Sequence, residues 1–108
     1  MPKTLTVTGI RKIAERLSTS ISHVSYTLDS NPKTLQILRK IVENGTVKIY
    51  AYFDNTVVGT IGNIKLIDLD GDIIAQNDKT YIKPQSKGLY VAFKYKLTEM
   101  EVDIIDSL

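Results

Sequence analysis

Three carboxylates crowd into five residues at Asp68-Leu69-Asp70-Gly71-Asp72, beside a glycine that favours a tight turn. Carboxylates this close together are candidates for general acid–base work. The same three groups suit a hard cation such as calcium. A helix-flanked calcium loop, however, runs Asp-x-Asp-x-Asp-Gly and ends on a glutamate at its twelfth position, where Lys79 stands. Asp70-Gly71 is also a favoured hairpin dipeptide, so the simplest expectation is a β-turn with its carboxylates in water.

His23 is the single histidine and lies beside Ser22 and Ser25. A base and a nucleophile one or two residues apart on one strand or helix do not converge on a substrate, and no oxyanion-hole motif accompanies them. Cysteine is absent, which removes disulfides, thiolate zinc sites and cysteine nucleophiles together. The expectation is therefore no catalytic residue, no cofactor, no metal site and no small-molecule substrate. Tyrosines interleave with lysines at Lys48 and Tyr50, and again at Tyr90, Lys94, Tyr95 and Lys96. That pattern suits base stacking on single-stranded nucleic acid, and equally a sheet or an interface. Asn44-Gly45-Thr46 fits a glycosylation acceptor by pattern, and fits a turn better.

The elements that must position these groups change character along the chain. Ile10, Ile13, Ala14 and Leu17 recur at spacings of three and four, predicting a helix from Thr8 to Leu17 with Thr8 as its cap and Arg11, Lys12, Glu15 and Arg16 in water. Residues 20–28 fit two templates. As a strand they place Val24, Tyr26 and Leu28 on one face; as a helix they align Ile21, Val24 and Leu28. Residues 29–32 read as a turn, and residues 34–43 again fit either period. After Asn44-Gly45 the period is two: Val47, Ile49, Ala51 and Phe53 alternate with polar or tyrosine positions, and Leu89, Val91, Phe93, Tyr95 and Leu97 line one face of a last strand. Turns about every ten residues indicate an antiparallel sandwich or barrel.

With 108 residues, 43% hydrophobic and 24% charged, the chain suits one globular domain, 1–108. Its longest apolar runs are too short to span a bilayer, and residues 1–4 contain no apolar signal segment, so no membrane contact is expected. The expected fold is α+β, an N-terminal amphipathic helix packed on an antiparallel β-sandwich-like sheet of about five to seven strands. Residues 1–48 carry net charge +5 and residues 49–108 carry −3. Such asymmetry suits nucleic acid at the basic end or complementary faces on neighbouring subunits. The acidic tail 98–108 is a candidate docking segment.

Three resemblances bear on function. Asp68-x-Asp70-Gly71 after an apolar run resembles the nucleophile strand of haloacid dehalogenase-type phosphatases, although Asp72 replaces that family's threonine or serine and the family needs a parallel sheet. Residues 10–28 resemble the helix-turn-helix of lac repressor-type regulators. Ile10, Ile13 and Ala14 fall on first-helix positions, and Ser20, Val24, Ser25 and Leu28 on those of the recognition helix. That resemblance implies Ser20, Ser22, His23 and Tyr26 facing the major groove, Lys33 and Arg39 toward phosphates, and a β-rich dimerisation half.

The third resemblance runs from about Leu5 to Leu97. Residues 8–14, 21–26, 47–54 and 59–75, then Lys83-Pro84 and the last strand, resemble in order the N-terminal attachment domain of bacteriophage tail-fibre and baseplate-associated proteins. It implies a non-enzymatic virion structural protein of the tail, baseplate or neck. Such a protein is assembled in the bacterial host cytoplasm and is partnered by itself and by other virion proteins. A fibre polypeptide normally continues into a shaft, so the chain as given corresponds to the assembly or fibre-attachment module.

Overall fold

A computed structural model describes residues 4–98. Helix α1 spans Val7–Ser20. Its cap is Thr6 rather than Thr8: the Thr6 hydroxyl accepts from the Gly9 amide at 2.9 Å, while Thr8 already lies in the first turn. The helix also outlasts the expected end at Leu17. Thr19 and Ser20 return their hydroxyls to the carbonyls of Arg16 and Leu17, and the Ile21 amide reaches the Ser18 carbonyl, so polar residues extend the last turn. Ala14 and Ser18 are buried, small side chains that let the helix lie close to the sheets.

Ile21 is already extended, and α1 passes without a loop into β1, Ile21–Leu28. Of the recognition helix expected from the regulator resemblance over residues 20–28, Ser20 closes α1 and residues 21–28 form a strand instead. Two neighbours decide it: β1 pairs antiparallel with β2 (Asn31–Gln36) on one edge and with β5 (Gly59–Asp68) on the other, which satisfies its backbone groups through the sheet. The helical spacing of Ile21 and Val24 arises from a register shift between Ile21 and His23, a bulge that turns both side chains into the core. A second three-residue spacing, Ile61 to Ile64, straddles Asn63, whose φ of 49° marks another local irregularity.

The β1–β2 hairpin turns on Asp29-Ser30 alone, both with positive φ, so Asn31 and Pro32 open β2 instead of completing a longer turn. Pro32 is tolerated because β2 is an edge strand. The ambiguous residues 34–43 form the end of β2 and then β3, Arg39–Glu43, with Ile37 and Leu38 carrying the chain from one sheet to the other. Asn44-Gly45 closes a two-residue hairpin into β4, Thr46–Phe53, with φ of 47° and 79°. A Cβ on Gly45 would stand 2.5 Å from Ile10 Cγ2, so this turn also sets the approach of α1. The remaining strands are β6 (Ile73–Asn77), β7 (Tyr81–Lys83) and β8 (Leu89–Lys96).

Eight strands are thus described, above the expected five to seven, because residues 31–43 split between two sheets and β7 is separate. One sheet has the order β2-β1-β5-β6, with β7 also on β5; the other is β3-β4-β8. All pairings are antiparallel. The α+β expectation holds. Val24, Tyr26, Ile61, Ile64 and Leu66 of the larger sheet meet Val47, Ile49, Ala51, Phe53 and Phe93 of the smaller, each fully buried aliphatic contributing about 1.5–3 kcal/mol. The Tyr26 ring meets Phe53 edge-on, centroids 4.8 Å apart. No helix among the described residues is long and apolar enough to cross a membrane.

Candidate functional site

The alternation that sends Val47, Ile49, Ala51 and Phe53 inward sends Thr46, Lys48, Tyr50 and Tyr52 outward. Register then sets their neighbours. Lys48 faces Lys94 across β8 and Ile41 across β3; Tyr50 faces Ala92 and Arg39; Tyr52 faces Tyr90; Thr46 faces Lys96 and Glu43. The outer face of the three-stranded sheet therefore carries three tyrosines toward one end and three lysines toward the other, with Arg39 beside the tyrosines. Tyr52 and Tyr90 pack with centroids 4.4 Å apart at 37°. Leu38 extends the aromatic end, where it and Tyr90 are 58% and 67% exposed.

Charge on this face is one-sided. Arg39, Lys48, Lys94 and Lys96 stand against one acid, Glu43, and two of the lysines lie directly opposite each other. Like charges opposed across strands cost stability, so this arrangement is unfavourable for the isolated sheet and favourable toward an anionic partner. Of the tyrosine and lysine positions singled out in the sequence, Tyr50, Tyr90, Lys48, Lys94 and Lys96 converge here. Tyr95 does not. It lies five residues from Tyr90, an odd interval that places it on the inner face, where burial pushes its hydroxyl pKa up. Tyr52 also belongs to the face, as its even spacing from Tyr50 requires, and so does Arg39, which the regulator resemblance turned toward phosphates.

The carboxylate cluster is brought together as its spacing suggests, with ligand atoms of Asp68, Asp70 and Asp72 within 4.8 Å of one another. Asp68 Oδ1 accepts from the amides of Asp70 (3.0 Å) and Asp72 (2.9 Å), so its chemistry is spent on holding the β5–β6 turn. β5 has antiparallel neighbours, which does not supply the parallel strand of the phosphatase resemblance.

The residues expected to contact DNA do not share a surface. Ser20 ends α1 with its hydroxyl on the Leu17 carbonyl at 2.7 Å. Tyr26 is buried in the core, where burial first and the Asp54 charge second raise its pKa. Lys33 is exposed on β2 beside Ser25, Pro32 and Thr34. Ser22, His23 and Arg39 do line one open cleft with Gln36, Ile37 and Lys40, where His23 Nδ1 and Ser22 Oγ are 3.0 Å apart and Lys40 donates to the Ile21 carbonyl at 2.7 Å. The acidic tail, from residue 99 onward, lies outside the described residues. Comparison with protein-family models, with curated proteins and with solved structures finds no match to this chain.

Proposed function

We propose that this chain is a non-enzymatic structural protein of a bacteriophage or prophage virion, an assembly or fibre-attachment module of the tail, baseplate or neck. The observation that carries this reading is the outer face of the three-stranded sheet, a broad aromatic and basic surface suited to a macromolecular partner rather than to a small substrate. The order of elements also supports it: a capped helix running straight into a strand, a central strand, a long hairpin over 59–75 and a long final strand after Pro84 match the segments that carry the resemblance.

Such a module works by repetition. Each copy contributes a modest interface, and copies arranged by symmetry around a tail hold one another through many simultaneous contacts. Its partners are further copies and other virion proteins, and assembly takes place in the bacterial cytoplasm. Mass spectrometry and immunogold labelling of purified phage particles from the source cells test this. The chain is expected in tail structures at a fixed stoichiometry; particles lacking it, with the chain recovered only in the soluble fraction, would overturn the reading.

A further inference from the structure

Strand β8 is hydrogen-bonded along one side only. Its eight residues pair with β4 in an unbroken register from Phe53↔Leu89 to Thr46↔Lys96, and no described strand occupies the other side. It contains no proline, glycine or bulge to blunt that edge. The inner-face side chains next to the edge are incompletely covered: Leu89 and Val91 are half-buried and Tyr95 is 39% exposed. Across the sandwich opening, Ile74 of β6 is 44% exposed. Leu17, Ile21, Ile49, Leu66, Ile74 and Tyr95 line an apolar slot there of about 120 Å³. On the outer face the same edge presents Lys94 and Lys96, backed by Lys48.

A strand added to this edge would need apolar side chains inward and acidic side chains outward. Residues 99–104 have that alternation: Glu99, Glu101 and Asp103 on one parity, Met100, Val102 and Ile104 on the other. We infer that the free edge of β8 accepts residues 99–104 of a second copy of this chain as a fourth strand of the sheet, linking copies head to tail. The inference rests on the assembly reading above and names its interface. Added pairing supplies main-chain hydrogen bonds; the apolar row covers the exposed inner-face side chains along the edge, one of them entering the slot, and the lysines take the acidic row.

The donor is a second copy because the described chain leaves β8 without turning toward its own free edge. Leu97 donates to the Gly45 carbonyl at 2.8 Å, continuing the direction of β8 past Lys96. To fold back on its own edge the chain would have to reverse at Leu97-Thr98, and two-residue hairpins need positive φ that neither a leucine nor a β-branched threonine favours. The interface is heterologous, so it closes into a ring or grows as a filament according to the rotation between copies.

Sedimentation velocity on the full 108-residue chain, at up to about 100 μM, tests this. Wild type is expected to self-associate. Val102→Pro removes a strand amide outside α1 and every described strand, and is expected to leave the circular dichroism unchanged while weakening association at least tenfold. Lys94→Glu with Lys96→Glu, and separately Glu99→Lys with Glu101→Lys, should each weaken self-association; mixing the two variants should restore it, since each edge then meets a tail of opposite charge. A monomeric wild type, association that Val102→Pro leaves intact, or variants that fail to complement would overturn the inference. So would a wild type that stays monomeric and instead binds single-stranded oligothymidylate through the tyrosine face. The outcome is separable from particle localisation: a chain present in tails but indifferent to Val102→Pro refutes only the strand exchange, and one absent from particles yet sensitive to it refutes only the virion reading.

Discussion

Lys94 tests whether the basic face is held at a cost to the fold. It lies directly opposite Lys48, where paired Cβ atoms are about 5 Å apart. With the ammonium groups spread to about 7 Å in water, their repulsion is about 0.6 kcal/mol before screening. Replacing Lys94 by Gln removes that term and by Glu reverses it, so unfolding free energy should rise by about 0.6 and about 1 kcal/mol respectively at low ionic strength. For a domain of this size the Glu variant gains about 4 °C in Tm. Screening supplies the control: at about 1 M salt the Debye length is about 3 Å, and the three proteins should converge to within about 0.2 kcal/mol. Urea unfolding followed by circular dichroism, at about 1 μM protein to keep association out, reads both conditions. A Glu variant no more stable than wild type at low salt, or a gap that survives high salt, would refute the electrostatic reasoning.

Phe53→Ala empties the centre of the sandwich and removes the edge-on contact with Tyr26; it should cost about 3–5 kcal/mol, a large part of a total of about 5–15, read as a fall in the urea midpoint. Asp68→Ala strips the acceptor from the Asp70 and Asp72 amides and should cost about 1–2 kcal/mol, whereas Asp68→Asn, which keeps a carbonyl oxygen there, should recover most of it in the same assay. Tyr26 has a folded pKa raised above the ordinary value of 10.0, so the stability it contributes is fully present below that pH and is lost as pH rises through the folded value. Tyr26→Phe should therefore flatten the alkaline fall in stability, measured by urea unfolding from about pH 8 to 11.

Some of this molecule is written in local sequence. The period-two run of β4, the Asn44-Gly45 hairpin and the Asp70-Gly71 turn depend on side-chain alternation and on residues that tolerate positive φ, properties carried by a few consecutive positions. The amphipathic row of α1 is equally local, although its cap moved to Thr6 and its end to Ser20 because hydroxyl-to-backbone bonds, rather than apolar spacing, set the boundaries. That Tyr50 and Tyr52 share a face, and that Tyr90 and Tyr95 do not, follows from parity alone once each segment is a strand.

Residues 20–28 and 34–43 were different. Their apolar spacings satisfied two periods, and only pairing partners far away in the chain could choose. β5, some forty residues on, supplies the hydrogen bonds that make β1 a strand, and a bulge imposed by that pairing produces the helix-like interval between Ile21 and Val24. The convergence of Arg39, Lys48, Lys94 and Lys96 with three tyrosines likewise comes from the register of three strands drawn from both halves of the chain. Side-chain alternation is a property of a segment, whereas the identity of its neighbour is a property of the whole fold; the sequence by itself determined the alternating rows, and tertiary structure alone decided which rows meet and which edge is left open.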